Sequence, residues 1–279
     1  MQTEIEVKQV DLGKSILIVL LAILLGYAAF TYLAEPKIAV IQLSGTIDRT
    51  TTDNTVAMLR YAKDRDAVKA VVLRINSPGG SASLSEEIYM HVVSLKKEKP
   101  VVASIDQIGA SGSYYAAIGS NIIYAKPTSI VGSVGVVTRL PSPEELDEDS
   151  LTSGPLKELG TTRRDWAYQA QEAAETFLKS VILERGGKLK ITEEELASGG
   201  IYIGTKAWRL GLVDKIGSTE DALDAAADLA GLRRYSIVDV NEELDIKEPI
   251  AVFQVNESAL ETSNTAPVHY FLYLARAER

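Results

Sequence analysis

Four short runs decide the fold: KIAVIQL (37 to 43), AVVLRIN (70 to 76), PVVASID (100 to 106) and NIIYAKP (121 to 127). Each is apolar, rich in β-branched residues and too short for a helix that must bury itself, which marks a strand covered on both faces. Between them the period changes. In 83 to 97, Leu84, Ile88, Val92 and Leu95 fall on one helical face, and Val56 with Leu59 opens a similar face before the second strand. Strand and helix in alternation predict an α/β fold with a parallel sheet and crossover helices. Further on, 163 to 185 reads as a helix, followed by IYIGTKAWRLGLVDKIGS and by an Ala-rich helix over 220 to 231 that ends near Gly231. The acidic run EELDED (144 to 149) reads as a solvated loop. From 241 the pattern weakens, apart from an apolar patch, APVHYFLYLA (266 to 275), which suits an edge strand, an oligomer contact or a membrane-surface contact.

Outward from the sheet, toward the amino terminus, lie twenty uncharged residues, SILIVLLAILLGYAAFTYLA (15 to 34). At about 1.5 Å per residue they match the roughly 30 Å hydrocarbon layer, and no A-x-A pattern ends the run. The expected organisation is therefore a tail (1–14), a membrane anchor (15–34), a catalytic domain (37–240) and a C-terminal tail (241–279). Lys8 and Lys14 before the anchor against Lys37 after it favour a cytoplasmic amino terminus, which would put the domain outside the cell in a single-pass arrangement.

Composition excludes several functions. The chain has 279 residues, no cysteine and a formal net charge of −9. Disulfides, thiolate nucleophiles and cysteine-ligated metals are removed together, so a nucleophile must be an oxygen. The acidic balance, without a basic cluster in the sequence, argues against nucleic acid, since phosphate binding needs grouped lysine and arginine. No ligand-spaced histidines and no Walker A stretch occur, so neither metal nor nucleotide cofactor is expected.

Chemistry gathers at two turns. Ser77-Pro78-Gly79-Gly80 follows the second strand; its glycines leave backbone N–H groups open, as an oxyanion hole requires, although such a sequence is also an ordinary strand-to-helix turn. Gly109-Ala110-Ser111-Gly112-Ser113 follows the third strand. A serine there projects from the carboxyl edge of the sheet, where ligands of open α/β folds bind; it can equally be a helix N-cap. Because the turns occupy successive strand ends, a carbonyl near Ser111 could accept from the N–H groups of Gly80 and Gly112. A Ser/His/Asp arrangement needs a histidine, and only His91 and His269 exist. His91 belongs to the apolar side of the 83 to 97 helix and His269 to the tail. A neutral lysine is the alternative activator, and Lys157, in the small-residue turn Ser153-Gly154-Pro155-Leu156-Lys157, is the candidate.

The order NSPGG, VVASIDQIGASGSYYAA, GSVGVV, SGPLKELG and IYIGTKAWRLGLVDKIG resembles the signal peptide peptidase A family in its single-length, membrane-anchored form, over roughly 37 to 235. The resemblance implies the fold of the Clp protease and crotonase group, built from repeated ββα units, with Ser111 as nucleophile and Lys157 as general base. It further implies Gly80 and Gly112 as oxyanion donors and Ser133, in GSVG, as the residue that orients the lysine. Where Clp proteases carry their base histidine, this chain has Val136. The stretch between GSVGVV and SGPLK is shorter and less similar than the family pattern. The implied activity is endoproteolysis of remnant signal peptides at the membrane, by a homo-oligomer that the family makes an octamer. Two other readings share the serine turn or the paired N–H groups: the stomatin-linked membrane Ser/Lys peptidases and the crotonase-like acyl-CoA enzymes.

Overall fold

The computed structural model describes residues 12–33, 35–139, 153–154, 156–157, 160–246 and 269–272. The acidic run 144 to 149 lies outside them, as do most residues of the 266 to 275 patch.

Helix α1 (Leu12–Leu33) is followed by β1 (Lys37–Ile47), α2 (Arg49–Asp64), β2 (Val68–Ser81), α3 (Ala82–Lys96), β3 (Val101–Ala110), α4 (Gly112–Ile118) and β4 (Ile122–Ala125). Then come β5 (Ile130–Gly132), β6 (Val137–Thr138), α5 (Arg163–Arg185), α6 (Glu193–Ala197), β7 (Ile201–Ile203), α7 (Gly204–Arg209) and β8 (Lys215–Ile216). The chain continues through α8 (Thr219–Leu229), β9 (Ser236–Asp239), α9 (Val240–Glu243) and β10 (His269–Leu272).

β9, β1, β2, β3, β4 and β8 pair in parallel in that order, and β5 pairs parallel with β3; β7 pairs antiparallel with β5, and β10 pairs antiparallel with both β2 and β6. The expected α/β class is therefore observed. Period-2 alternation sorts the strands between two cores. Ala39, Ile41, Leu43, Leu73, Ile75, Ala103 and Ile105 meet Met58 and Leu59 of α2, Ile88 and Val92 of α3, and Tyr114 of α4. Ile38, Ala70, Val72, Val102 and Tyr124 face the opposite way, onto Ala222, Ala225 and Ala226 of α8. Alanines let α8 approach closely, so this second layer is one helix thick.

One expectation changes. Ser77 to Gly80 is not a turn: β2 continues through it to Ser81, because β1 runs alongside as far as the Ile47–Gly80 pair. Backbone pairing on the flank keeps the segment within the strand, with Gly79 at φ 98°, a conformation that its lack of a Cβ permits. Within the apolar patch, β10 forms a strand that pairs with β2 and β6, the strand alternative of the sequence reading.

α1 forms as a helix of 22 residues, and its large side chains from Ile16 to Leu25 are more than half exposed. Among the described residues, no helix is long and apolar enough to cross a membrane; side chains of α1 are described only from 13 to 27.

Candidate active site

Ser111 follows β3 directly and precedes α4, at φ 57° and ψ −125°. A non-glycine residue rarely adopts positive φ, and the conformation costs on the order of 1–3 kcal/mol, so surrounding contacts must hold it there. They are visible: the Ser111 N–H donates to Gly132 O at 2.8 Å, and its carbonyl accepts from Tyr115 N–H at 3.0 Å. The residue is 1% exposed, and its Oγ has no hydrogen-bond partner among the described residues. Ser111 occupies the N-cap position of α4 but makes no side-chain cap bond, which removes the capping reading and leaves a buried hydroxyl unused by the fold.

The glycine segment of β2 lies beside this turn, in register through Ser77 and Gly109. Ser113, which the sequence reading passed over, joins the two. Its Oγ stands 2.6 Å from Ser77 O and 2.8 Å from Ala110 O, while Ser77 Oγ accepts from Gly79 N–H at 3.1 Å. Nothing local in the sequence distinguishes Ser113 from an ordinary small residue; its role needs both strand ends in place. Gly80 is constrained by space, since a Cβ there would come within 2.2 Å of Ile47 O. Gly112 is buried at the first turn of α4.

Ser133 has φ 57° as well. Its N–H donates to Gly200 O at 2.8 Å, just ahead of β7. The Gly132 position tolerates no side chain, because φ is +112° and a Cβ would meet Gly200 O at 2.7 Å. β3, β5 and β7 thus form one unit that ties the Ser111 turn to the Ser133 turn through Gly132 and Gly200, glycines that the sequence reading did not assign.

Lys157 differs. It is exposed, in a turn whose recorded bond is its own N–H to Gly154 O at 3.1 Å. Among the described residues its ammonium makes no hydrogen bond to Ser111 or Ser133. β2 and β3 therefore end on one sheet edge, which places Gly80, Ser111 and Gly112 there, with Ser133 directly after the Gly132 that accepts from Ser111; Lys157 lies on an exposed turn. Lys126, at the end of β4, is bound to Asp106, which also takes Arg74 at 2.9 Å. His91 sits half-buried between α2 and α3, where burial and then Arg60 lower its pKa. The backbone of His269 begins β10 opposite Thr138.

Extended backbone already lies against the glycine segment of β2. β10 runs antiparallel to the end of β2, pairing Tyr270 with Ser81, Phe271 with Gly80 and Leu272 with Gly79, and on its other side pairs with β6.

A strained serine with a free buried hydroxyl thus stands beside a glycine segment at the carboxyl edge of a mostly parallel sheet, an arrangement open to a serine peptidase of α/β fold. The model of Peptidase family S49 matches residues 94–233, and that of the Clp proteases matches 28–137. "Protease 4" of Haemophilus influenzae is 33% identical over 235 residues, 74% of this chain and 37% of the relative. "Putative protease slr0021" of Synechocystis is 34% identical over 209 residues, 70% of this chain and 75% of the relative. The chain thus spans about a third of the length of the first relative and three quarters of the second. Among solved structures, a mutant of the 1510-N membrane-bound stomatin-specific protease superposes with a TM-score of 0.51 at 17% identity, covering 74% of this chain and 99% of that one, which shows a shared fold. The chain belongs to peptidase family S49.

Proposed function

We propose that the chain is a membrane-anchored serine endopeptidase in which Ser111 and Lys157 form a catalytic dyad acting on remnant signal peptides and other membrane-associated polypeptides. The observation that carries the reading is the Ser111 Oγ, buried, unpartnered and held on a left-handed turn. The peptide class is supported by β10, an extended strand paired with Gly79 to Ser81.

In this mechanism Ser111 Oγ attacks the substrate carbonyl carbon as its proton passes to the neutral Lys157 Nζ. The N–H groups of Gly80 and Gly112 take the developing oxyanion. Lys157 then returns the proton to the leaving amine, and water resolves the acyl-enzyme. A base must be unprotonated, so the dyad requires water to be driven from the exposed Lys157 when substrate or a neighbouring copy covers it. Ser133 would orient the amine. α1, whose 22 residues extend about 33 Å, serves as the anchor with the domain outside, and the chain works as a homo-oligomer, an octamer by family resemblance.

The test is labelling with a serine-reactive fluorophosphonate. Wild type should label and Ser111→Ala should not, while the variant keeps its circular dichroism; equal labelling would sink the mechanism. A crotonase-like acyl-CoA enzyme would not label at all. Substrate profiling with hydrophobic tails against signal peptides separates this reading from a stomatin-specific one, the specificity for which the fold neighbour is named.

A further inference from the structure

We propose that the amino edge of the sheet is a docking surface for anionic lipid headgroups, which stands the catalytic domain upright on the bilayer that α1 enters. The inference rests on the membrane reading of α1. It begins with topology: β1 is parallel to β2 and β9, and β3 is parallel to β2 and β4, so these strands all start on one edge. Short links bring the ends of α2, α3 and α8 to the same edge, ahead of β2, β3 and β9. α1 is separated from the first residue of β1 by residues 34–36 alone, so its foot is there too.

Six cations are exposed along this edge: Lys37, Arg65, Lys69, Lys97, Arg233 and Arg234. Arg65 is held over the Tyr61 ring at 4.8 Å. A further cation, Lys99, is committed to the fold, donating to the carbonyls of Ala62, Lys63 and Arg65 at the end of α2. The carboxylates there are Glu35, Asp64, Asp66, Glu98, Asp224, which accepts from Tyr235, and Asp228; Glu98 is taken by Lys63 at 2.8 Å, and Lys63 with Lys99 makes eight cations to six carboxylates. Cations therefore outnumber carboxylates on this edge in a chain whose formal net charge is −9. The excess was invisible in the sequence because it is assembled from four separate segments. Two exposed apolar side chains flank the arginines, Leu229 at the end of α8 and Ile237 on β9, respectively 46% and 54% exposed. Cations interleaved with apolar residues suit the headgroup boundary of an anionic bilayer, and the attraction acts within a Debye length of about 10 Å.

Upright docking sets a distance. β1 ends at Ile47, packed against Gly80, ten residues beyond Lys37. At about 3.3 Å per residue the oxyanion glycine stands roughly 33 Å from the docked edge. A substrate still held in the bilayer must then reach up with about ten extended residues to be cut.

The chain has no cysteine, so Thr50→Cys, exposed at the start of α2 on the opposite edge, gives a single labelling site. Full-length chain carrying a donor there is reconstituted into vesicles of phosphatidylcholine alone, or of phosphatidylcholine with phosphatidylglycerol, containing a headgroup acceptor. Energy transfer should be about twofold weaker in the anionic vesicles, with the difference abolished by high salt and by the combined Arg65→Glu, Lys69→Glu, Arg233→Glu and Arg234→Glu variant. Transfer that ignores lipid charge and salt overturns the proposal, and the salt arm needs no variant to fold. A charge-reversed chain that loses its oligomeric state on sedimentation assigns the edge to a protein partner and also overturns it. Flotation separates the two levels. A chain that does not float with vesicles defeats the anchor and this inference together, whereas a floating chain with indifferent transfer defeats this inference alone.

Discussion

The Ser111 turn and the Lys157 turn are both short segments rich in small residues, yet the molecule treats them differently. The first is buried, carries positive φ, and is tied on three sides by Gly132 O, by the Ser113 hydroxyl and by β2. The second is exposed and closes on itself through Gly154 O. The proposed nucleophile and oxyanion donors are thus held by the sheet, while the proposed base lies on a surface turn. α5 carries this asymmetry back into the fold. Starting just after the Lys157 turn, it is largely exposed at first and becomes buried at Phe177, Val181 and Arg185. Strained backbone is retained where transition-state charge must be met without reorganisation; a general base can be recruited as substrate displaces water.

The strongest challenge to this contrast is Lys157→Arg. A guanidinium keeps its proton, so kcat/KM for an apolar peptide should fall by about 10³ or more, close to Lys157→Ala. An arginine enzyme that retains wild-type activity moves the base elsewhere and ends the comparison. Gly80→Ala comes next. The added Cβ meets the Ile47 backbone, so the strand must shift and its N–H with it, lowering turnover by about 10² to 10³ and reducing Tm. A thermal scan beside the kinetics divides the two effects. Ser133→Ala should be milder, about tenfold to a hundredfold, since it loosens the lysine without removing it; an unchanged kcat would free Ser133 from that role.

The smallest expected effect lies at the foot of α5. Arg185, almost fully buried, donates to Gly211 O and to Asp214 at 2.7 Å, and Lys188 reaches Asp214 at 2.8 Å. Burial alone would raise the Asp214 pKa, but the Arg185 hydrogen bonds and charge outweigh it, with help from Lys188 and the Ile123 N–H, and the net shift is downward. A depressed carboxylate contributes stability that is complete above the ordinary aspartate pKa of about 3.9 and disappears as pH falls through the lower folded value. Wild type should therefore lose stability below about pH 4, and Asp214→Asn should flatten that acid limb while lowering stability at neutral pH. Urea midpoints from pH 2 to 7, within the range about the aspartate pKa, give the comparison. Because the pair secures the buried end of α5, the variant should leave fluorophosphonate labelling of Ser111 intact and depress turnover.

Much was determined by sequence alone. Apolar runs of strand length, alternating with helical faces, specify a parallel sheet covered on both sides, and a small-residue turn after the third strand puts a serine at its carboxyl edge. These features are local periodicities, and periodicity survives in one dimension. Tertiary structure decided what depends on a neighbour far away in the chain. Ser77 to Gly80 read as a turn because glycine is locally a breaker, and became strand because Ile47 and β10 supply backbone partners on its two sides. Ser113, Gly132 and Gly200 gained positions in the site only once separate strand ends met. The cationic amino edge likewise needed four dispersed segments brought to one level. Lys157 could be selected by residue type, but a general base is defined by distance and dehydration, and both belong to whatever covers the turn.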